Sequence, residues 1–211
     1  MAALAVAAAW MGGAVFAGFW IAAAVLIFRE WAKIVWPSSH RALWIVAGIV
    51  YAVVCALPPI VLRSSYNFGL HAILFLFAGV WATDVAGYVV GRLIGGPKLW
   101  PAVSPKKTWS GAIGGVAGAI FFGSAVVHLS GIPVGFIILV AVILSISAQF
   151  GDLAESAIKR QFGVKDASHI IPGHGGVMDR LDGFIIAALL AVLIGLAHGG
   201  LDNPGRGLLV W

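Results

Sequence analysis

The chain alternates long apolar runs with short polar segments. A membrane-spanning helix needs about 20 consecutive, mostly apolar residues, and six runs approach this length. They predict spans at 4–28, 42–62, 70–90, 111–129, 134–150 and 183–198. The runs are continuous and lack the alternation of barrel strands. The pattern therefore predicts an all-α, polytopic integral membrane protein with about six transmembrane helices.

Two features of the runs leave alternatives open. The first run is long enough for one span or for two helices that are broken near Gly12 and Gly13. The fifth and sixth runs are short, and a tilted helix or local thinning of the bilayer would accommodate them. No basic segment precedes the first run, so a cleaved signal peptide is not expected.

The composition supports the same class of protein. Hydrophobic residues make up 61% of the 211 residues and charged residues only 10%, against about 25% charged in an ordinary soluble domain. The single cysteine excludes an internal disulfide and a cysteine-cluster metal site. No linker, repeat or low-complexity tract interrupts the chain. We therefore expect one membrane-embedded domain over residues 1–211.

The basic residues predict the orientation. All of the 13 lysines and arginines except Arg63 and Arg206 lie in the first, third and fifth loops. Cytoplasmic loops of membrane proteins carry such an excess, so these loops are expected at the cytoplasmic face of the inner cell membrane, with both termini on the other side. The net charge of +5 does not indicate nucleic acid, because the basic residues are dispersed and no nucleic-acid motif accompanies them.

The long fifth loop, before the last span, holds five of the eight acidic residues. Asp179 and Asp182 are three residues apart and share a helical face if the last span begins there. Between the two halves, the segment Pro-Gly-His-Gly-Gly forces a turn whose backbone can approach a ligand closely. The first half predicts a helix with four polar residues on one face, at i, i+3, i+4 and i+7: Asp152, Glu155, Ser156 and Lys159.

Carboxylates among clustered cations suit a metal-bound polyphosphate. Magnesium prefers oxygen ligands, commonly one or two carboxylates plus phosphate oxygens, and lysine and arginine neutralise the remaining phosphate charge. Phosphoryl-group transfer depends mostly on positioning and electrostatics, so no covalent nucleophile is needed. The alternative is a solvated loop whose charges only orient the protein. The third loop adds two hydroxyls and two cations before a helix that begins near Gly111: Ser104, Lys106, Lys107 and Thr108.

An acidic residue also lies inside the third span. Charged residues within a membrane are costly and usually functional, which favours a functional role for Asp84. Tyr88, Gly91 and Arg92 follow on nearly the same helical face. Arg92 is expected to pair with Asp84 or with a phosphate. The alternative is a structural link between helices.

The fifth loop closely resembles the signature of phosphatidate cytidylyltransferases, which are also called CDP-diacylglycerol synthases. Segments 81–92, 104–111 and 151–156 are similar to the same family, and segment 29–31 at the end of the first span is more weakly similar. Familiar bacterial members are longer, with additional N-terminal spans. The residues that match the signature are Ser156, Lys159, Arg160, Lys165, Asp166, Pro172, His174, Gly175, Gly176, Asp179, Arg180 and Asp182.

The resemblance implies transfer of CMP from CTP to phosphatidate, giving CDP-diacylglycerol and pyrophosphate. It implies a Mg²⁺ cofactor held by Asp152, Asp179 and Asp182, and leaves a second cation and a homodimer open. The implied catalytic residues are Asp152, Lys159, Arg160, Lys165, Asp166, His174, Asp179, Arg180 and Asp182. The implied substrate-binding residues are Asp84, Tyr88, Arg92, Ser104, Lys106, Lys107, Thr108, Ser156, Gly175 and Gly176.

Three other functions compete with this interpretation. A small transporter would also use an acid within a span and a basic inner vestibule, although no pair of broken helices occupies matching halves of the chain. A related enzyme would transfer CMP to a prenyl-lipid phosphate or a lipid alcohol. A catalytically silent relative would serve as a scaffold.

Overall fold

The computed structural model describes residues 2–168, 170–171 and 175–211. Six helices are long and apolar enough to cross a membrane: α2 (Gly13–Val35), α3 (Arg41–Arg63), α4 (Gly69–Ile94), α5 (Trp109–Leu129), α6 (Ile137–Gln161) and α7 (Met178–Gly199). Two short helices, α1 (Ala2–Met11) and α8 (Pro204–Leu209), flank them. The predicted all-α polytopic fold with six spans is confirmed.

The first apolar run forms two helices, as the alternative interpretation allowed. Gly12 and Gly13 separate α1 from α2 with φ angles of 65° and 50°, a backbone region that glycine adopts without steric cost. Arg63, at the end of α3, stabilises this break. Its Nε donates a hydrogen bond to the carbonyl of Ala9 at 2.7 Å, one of the α1 carbonyls that lack an intrahelical partner.

The last two spans are longer than their apolar runs. The fifth run ends at Phe150, but α6 continues without a break to Gln161, so the polar first half of the fifth loop is a helix, as predicted. Two side-chain pairs at i, i+4 support this extension: Ser156 with Asp152, and Lys159 with Glu155. Helix α7 begins at Met178 instead of Gly183. Asp179 and Asp182 therefore lie in its first two turns.

The third loop contains a small β-hairpin that the apolar pattern did not predict. Strand β1 (Lys98–Trp100) pairs antiparallel with β2 (Ser104–Thr108), with Lys98 opposite Thr108. Strands of three and five residues are too short to show a clear alternation. The Trp109 amide donates to the Pro97 carbonyl at 3.1 Å. The hairpin thus fixes its cations at the start of α5.

Helices α4 and α5 approach each other through glycines. A Cβ atom on Gly111 would lie 2.7 Å from the Gly87 carbonyl oxygen, and one on Gly115 would lie 2.8 Å from that of Thr83. Small residues allow such backbone approach between membrane helices. This contact places the polar face of α4 directly beside the hairpin.

Adding a methyl group at this contact should destabilise the protein. In a Gly118→Ala variant, the new Cβ would lie 2.6 Å from the Ala86 Cβ and 2.9 Å from the Ala82 carbonyl oxygen. Overpacking of this kind costs about 1–3 kcal/mol, so the thermal unfolding midpoint in detergent should fall. Gly79→Ala is the matched control on α4, because no atom lies within 4 Å of its added Cβ. A Gly118→Ala midpoint equal to that of the control would contradict this packing.

An aromatic cluster forms the core behind this region. Trp20 of α2 stacks on Phe184 of α7, with ring centroids 4.8 Å apart. Phe77 of α4 contacts both rings and stacks on Trp81. These contacts join α2, α4 and α7 close to the first turns of α7.

Candidate active site

A cavity of about 640 Å³ lies between the C-terminal half of α4, the first turns of α5 and α7, and the part of α6 around Gln149 and Asp152. Its lining comes from α4, the hairpin, α5, α6 and α7, which are distant in sequence. Acids and cations both line it, so the cavity suits a polyanion together with a cation. The charged lining residues are Asp84, Arg92, Lys98, Lys106, Lys107, Asp152, Asp179, Arg180 and Asp182.

An ion pair connects the hairpin to α6. Lys107 of β2 donates to Asp152 Oδ2, and the Ser156 hydroxyl donates to Asp152 Oδ1 at 3.3 Å. Thr108, the last residue of β2, caps α5, because its Oγ1 accepts a hydrogen bond from the Gly111 amide at 3.1 Å. Of the two cations predicted in the third loop, Lys107 therefore contacts the Asp152 carboxylate of α6 and Lys106 lines the same cavity.

Asp179, in the first turn of α7, holds the segment before it. Its Oδ2 accepts hydrogen bonds from the Ala167 amide at 2.9 Å and from the Gly176 amide at 2.8 Å. Its Oδ1 accepts from Lys159 Nζ at 2.5 Å. Asp182 lies one turn further along α7 and also lines the cavity; its Oδ1 accepts from the Gly183 amide at 2.7 Å.

Lys159 forms a buried bridge between α6 and α7. Its side chain is 8% exposed, and its ammonium contacts Glu155 at 3.0 Å as well as Asp179. Tyr51 of α3 donates to the other oxygen of Glu155 at 2.9 Å. Lys159 is not among the residues that line the cavity. Its contacts favour positioning of Asp179, and its predicted contact with a triphosphate stays a prediction.

The α4 residues Asp84, Tyr88 and Arg92 all line the cavity. Arg92 Nη1 donates to the Tyr88 hydroxyl at 2.7 Å, so Arg92 pairs with this tyrosine and not with Asp84. The cations whose charges act on Asp84 are Lys107 and Arg180. Asp84 therefore faces the Asp152 carboxylate of α6 as well as positive charge from the hairpin and from α7.

Other predicted site residues lie outside the cavity lining. Arg160 donates to the Val164 carbonyl at 3.0 Å, and Lys165 and Asp166 are exposed in the segment after α6. Ser104 pairs with Trp100 in the hairpin. Gly175 and Gly176 lie behind Asp179, where added Cβ atoms would meet carboxylate oxygens. His174 lies outside the described residues.

Two polar residues of the cavity lining were not predicted as site residues. Lys98 and Gln149 line the cavity; Lys98 had been assigned only to orientation. Gln149 donates to the Ala112 carbonyl at 3.2 Å, and its polarity inside an apolar run was a usable signal. A third residue, Glu30 of α2, contacts the start of α7; segment 29–31 carries a weaker part of the resemblance, but no role was assigned to it.

The donor set fits a magnesium ion that arrives with a polyphosphate. Over residues 2–168, 170–171 and 175–211, no group of three or more His, Cys, Asp or Glu side chains is arranged to hold a metal. Magnesium bound with a nucleotide needs only one or two carboxylates, because phosphate and water supply its other ligands. Asp152 and Asp182 line one cavity and act on each other electrostatically. The metal assignment of Asp152, Asp179 and Asp182 stays a prediction.

A second, mostly apolar cavity of about 260 Å³ adjoins the first. Asp84 and Arg180 line both cavities, so the two cavities share part of their walls. Its aromatic lining comes from α2, α4 and α7: Phe19, Trp20, Phe77, Trp81 and Phe184.

The fold and the cavities define a multi-pass membrane protein with a cavity that is lined by acidic and basic side chains. The chain belongs to the cytidylyltransferase family, whose sequence profile matches residues 35–197. It is 48% identical over 189 residues to a phosphatidate cytidylyltransferase of Brucella suis, covering 89% of this chain and 67% of that relative. It is 46% identical over 129 residues to a phosphatidate cytidylyltransferase of Staphylococcus haemolyticus, covering 60% of this chain and 50% of that relative.

These comparisons confirm the resemblance found in the fifth loop. They extend it well beyond that loop, because the Brucella match covers most of the chain. They also place the chain among nucleotidyltransferases. The chain spans about two thirds of the length of the Brucella relative and half of the Staphylococcus relative.

Proposed function

We propose that this chain transfers CMP from CTP to phosphatidate, forming CDP-diacylglycerol and pyrophosphate. The observation that carries the proposal is the convergence of Asp84, Lys107, Asp152, Arg180 and Asp182 on one cavity. These residues belong to separate stretches of the chain, and the cavity adjoins an apolar one. The names of the relatives supply the substrates, and the mixed charge of the cavity suits them.

In the proposed reaction, a phosphate oxygen of phosphatidate attacks the α-phosphorus of CTP. The bond from that phosphorus to the bridging oxygen of the β-phosphate breaks, and pyrophosphate leaves with the electron pair. Lys106, Lys107 and Arg180 supply fixed positive charge for the phosphates. Magnesium at Asp152 and Asp182, with Asp179 behind them, would neutralise the developing charge. Arg160 and Lys165 are proposed to contact the leaving group from the adjoining segment.

The apolar cavity is proposed to accept part of an acyl chain. It shares Asp84 and Arg180 with the wall of the charged cavity, so a lipid with an acyl chain there would have its phosphate close to Arg180. Phosphatidate would then reach the site sideways, from the inner leaflet of the bilayer. Arg92 and Tyr88, which are paired at the end of α4, are proposed to contact the same phosphate.

The basic loops support a location in the inner cell membrane, with the site facing the cytoplasm. On this view, residues 1–211 act as a single membrane-embedded domain. A homodimer stays a prediction that rests on the helix faces rich in glycine and alanine. Cross-linking of the purified protein in detergent would test it.

The purified chain in detergent should release pyrophosphate when given phosphatidate, CTP and Mg²⁺, and should form an equal amount of CDP-diacylglycerol. Omission of the lipid or removal of Mg²⁺ by EDTA should stop both. An enzyme-coupled assay measures the pyrophosphate that is released, and lipid chromatography measures the CDP-diacylglycerol that is formed. A prenyl phosphate that reacts faster than phosphatidate would replace the proposed acceptor. Solute flux through vesicles that contain the chain, without CTP turnover, would overturn the proposal.

A further inference from the structure

Glu30 is a buried carboxylate that does not itself line the cavity. It lies near the end of α2 and is 1% exposed. Burial of a charge is costly unless hydrogen bonds compensate for it. Its Oε1 accepts from the Ser168 hydroxyl at 2.5 Å and from the Val177 amide at 3.0 Å. Its Oε2 accepts from the Met178 amide at 2.8 Å. Both oxygens are therefore engaged by donors from the fifth loop.

The two amide donors belong to the N-terminus of α7. Met178 is the first residue of the helix and Val177 is its N-cap, which provides no side-chain hydrogen bond of its own. Amides at this position have no intrahelical partner, and the positive end of the helix dipole favours a negative charge. Glu30 thus supplies, from another helix, the cap that the local sequence lacks.

Gly176 makes this contact sterically possible. An added Cβ would lie 2.6 Å and 2.7 Å from the two carboxylate oxygens of Glu30. The amide of the same glycine donates to Asp179 Oδ2. Glu30 from α2 and Asp179 from α7 therefore hold the residues that immediately precede α7 from two directions.

We propose that Glu30 is a positioning residue that fixes the N-terminus of α7 and, through it, the orientation of Asp179 and Asp182 in the cavity. The inference rests on the proposed function for its kinetic consequence. Glu30 does not line the charged cavity, so it acts through the helix and not on the substrates. Of the three amides at the start of α7 that donate to carboxylates, Val177 and Met178 donate to Glu30, outside the cavity lining, and Gly176 donates to Asp179, which lines the cavity.

The test is a Glu30→Gln variant. It keeps the size of the side chain, but it removes the negative charge and replaces one acceptor oxygen with an NH₂ group, which cannot accept a hydrogen bond from the Val177 or Met178 amide. Misplacement of a reacting group by about 1 Å costs on the order of 10²-fold, so kcat should fall by about that factor, with little change in KM for CTP. Hydrogen exchange of the amides at 176–180 should accelerate, while exchange in α3 stays native. Glu30→Asp, which keeps the charge, should recover part of the lost kcat.

A second variant perturbs the same contact from the other side. Gly176→Ala should give the same loss of kcat and the same local acceleration of exchange. Gly18→Ala, with open space around its added Cβ, and Asp202→Asn, an exposed acid in the turn before α8, are the matched controls and should behave as the native chain.

Two outcomes would overturn the proposal: native kcat and native exchange in Glu30→Gln, or an acceleration of exchange spread evenly over all helices. Failure of the proposed function would look different. If the native chain transfers no CMP but Glu30→Gln still accelerates exchange only at 176–180, the capping role stands and the assigned reaction is wrong.

Discussion

An Asp182→Asn variant should lose CMP transfer by about 10²–10³-fold, the effect of removing one charged or hydrogen-bonding group that stabilises a transition state. Asp182 lies in the second turn of α7 and lines the charged cavity. Three other carboxylates, those of Asp84, Asp152 and Glu155, act on it with the same sign of charge. Asparagine keeps an oxygen to accept the Gly183 amide. The variant should therefore be at least as stable as the native chain while it is nearly inactive.

The combination of unchanged or higher stability with a nearly complete loss of activity distinguishes a catalytic role from a structural one. Thermal unfolding in detergent and the initial rate of pyrophosphate release measure it on one preparation. Asp202→Asn removes an exposed acid outside the cavity and should change neither quantity. If Asp182→Asn turned over CTP at a native rate, the assignment of this carboxylate to the metal and phosphate site would be wrong. If it unfolded, the electrostatic account of the cavity would be wrong.

The spans were predictable because polar and charged side chains are costly inside the hydrocarbon core of the bilayer, so a spanning helix must be mostly apolar. A run of apolar residues long enough to cross the bilayer has few other uses, and six such helices are found. The same cost made Asp84 visible as a site candidate, whereas the acids of α6 and α7 were found from their clustering in the fifth loop and from its resemblance to the family. The break at Gly12 was predicted as an alternative, because two adjacent glycines destabilise a helix and can adopt positive φ angles without steric cost.

The rest depended on contacts between distant residues. The hairpin at β1 and β2 is too short for its alternation to show, and its formation relies on closure between Pro97 and Trp109. The role of Glu30 depends on a neighbour about 150 residues away. Lys159 was correctly placed on a face with Glu155, but no spacing indicated that Asp179 would contact it from the other side. The local sequence pattern predicts which residues share a face of a helix, but it does not predict which distant residues contact that face.

The structure separates the carboxylates into two groups. Asp84, Asp152 and Asp182 line the cavity and are the groups best placed to meet a cation that a nucleotide brings. Glu30 and Glu155 are buried away from that lining and hold α2, α3, α6 and α7 together through hydrogen bonds. Asp179 belongs to both groups, since it lines the cavity while accepting three hydrogen bonds.

A Lys159→Met variant distinguishes a structural bridge from a triphosphate contact. Removal of the ammonium leaves Glu155 and Asp179 without their shared cation, and breaking a buried ion pair from one side costs about 3–5 kcal/mol. The unfolding midpoint in detergent should therefore fall sharply. The double variant Lys159→Met, Glu155→Gln should recover part of this loss, because one of the two uncompensated charges is gone. Lys33→Met, which removes an exposed lysine at the end of α2, is the control and should unfold at the native midpoint. A Lys159→Met protein that unfolds at the native midpoint but needs far more CTP for half-maximal rate would show that the ammonium binds the nucleotide instead.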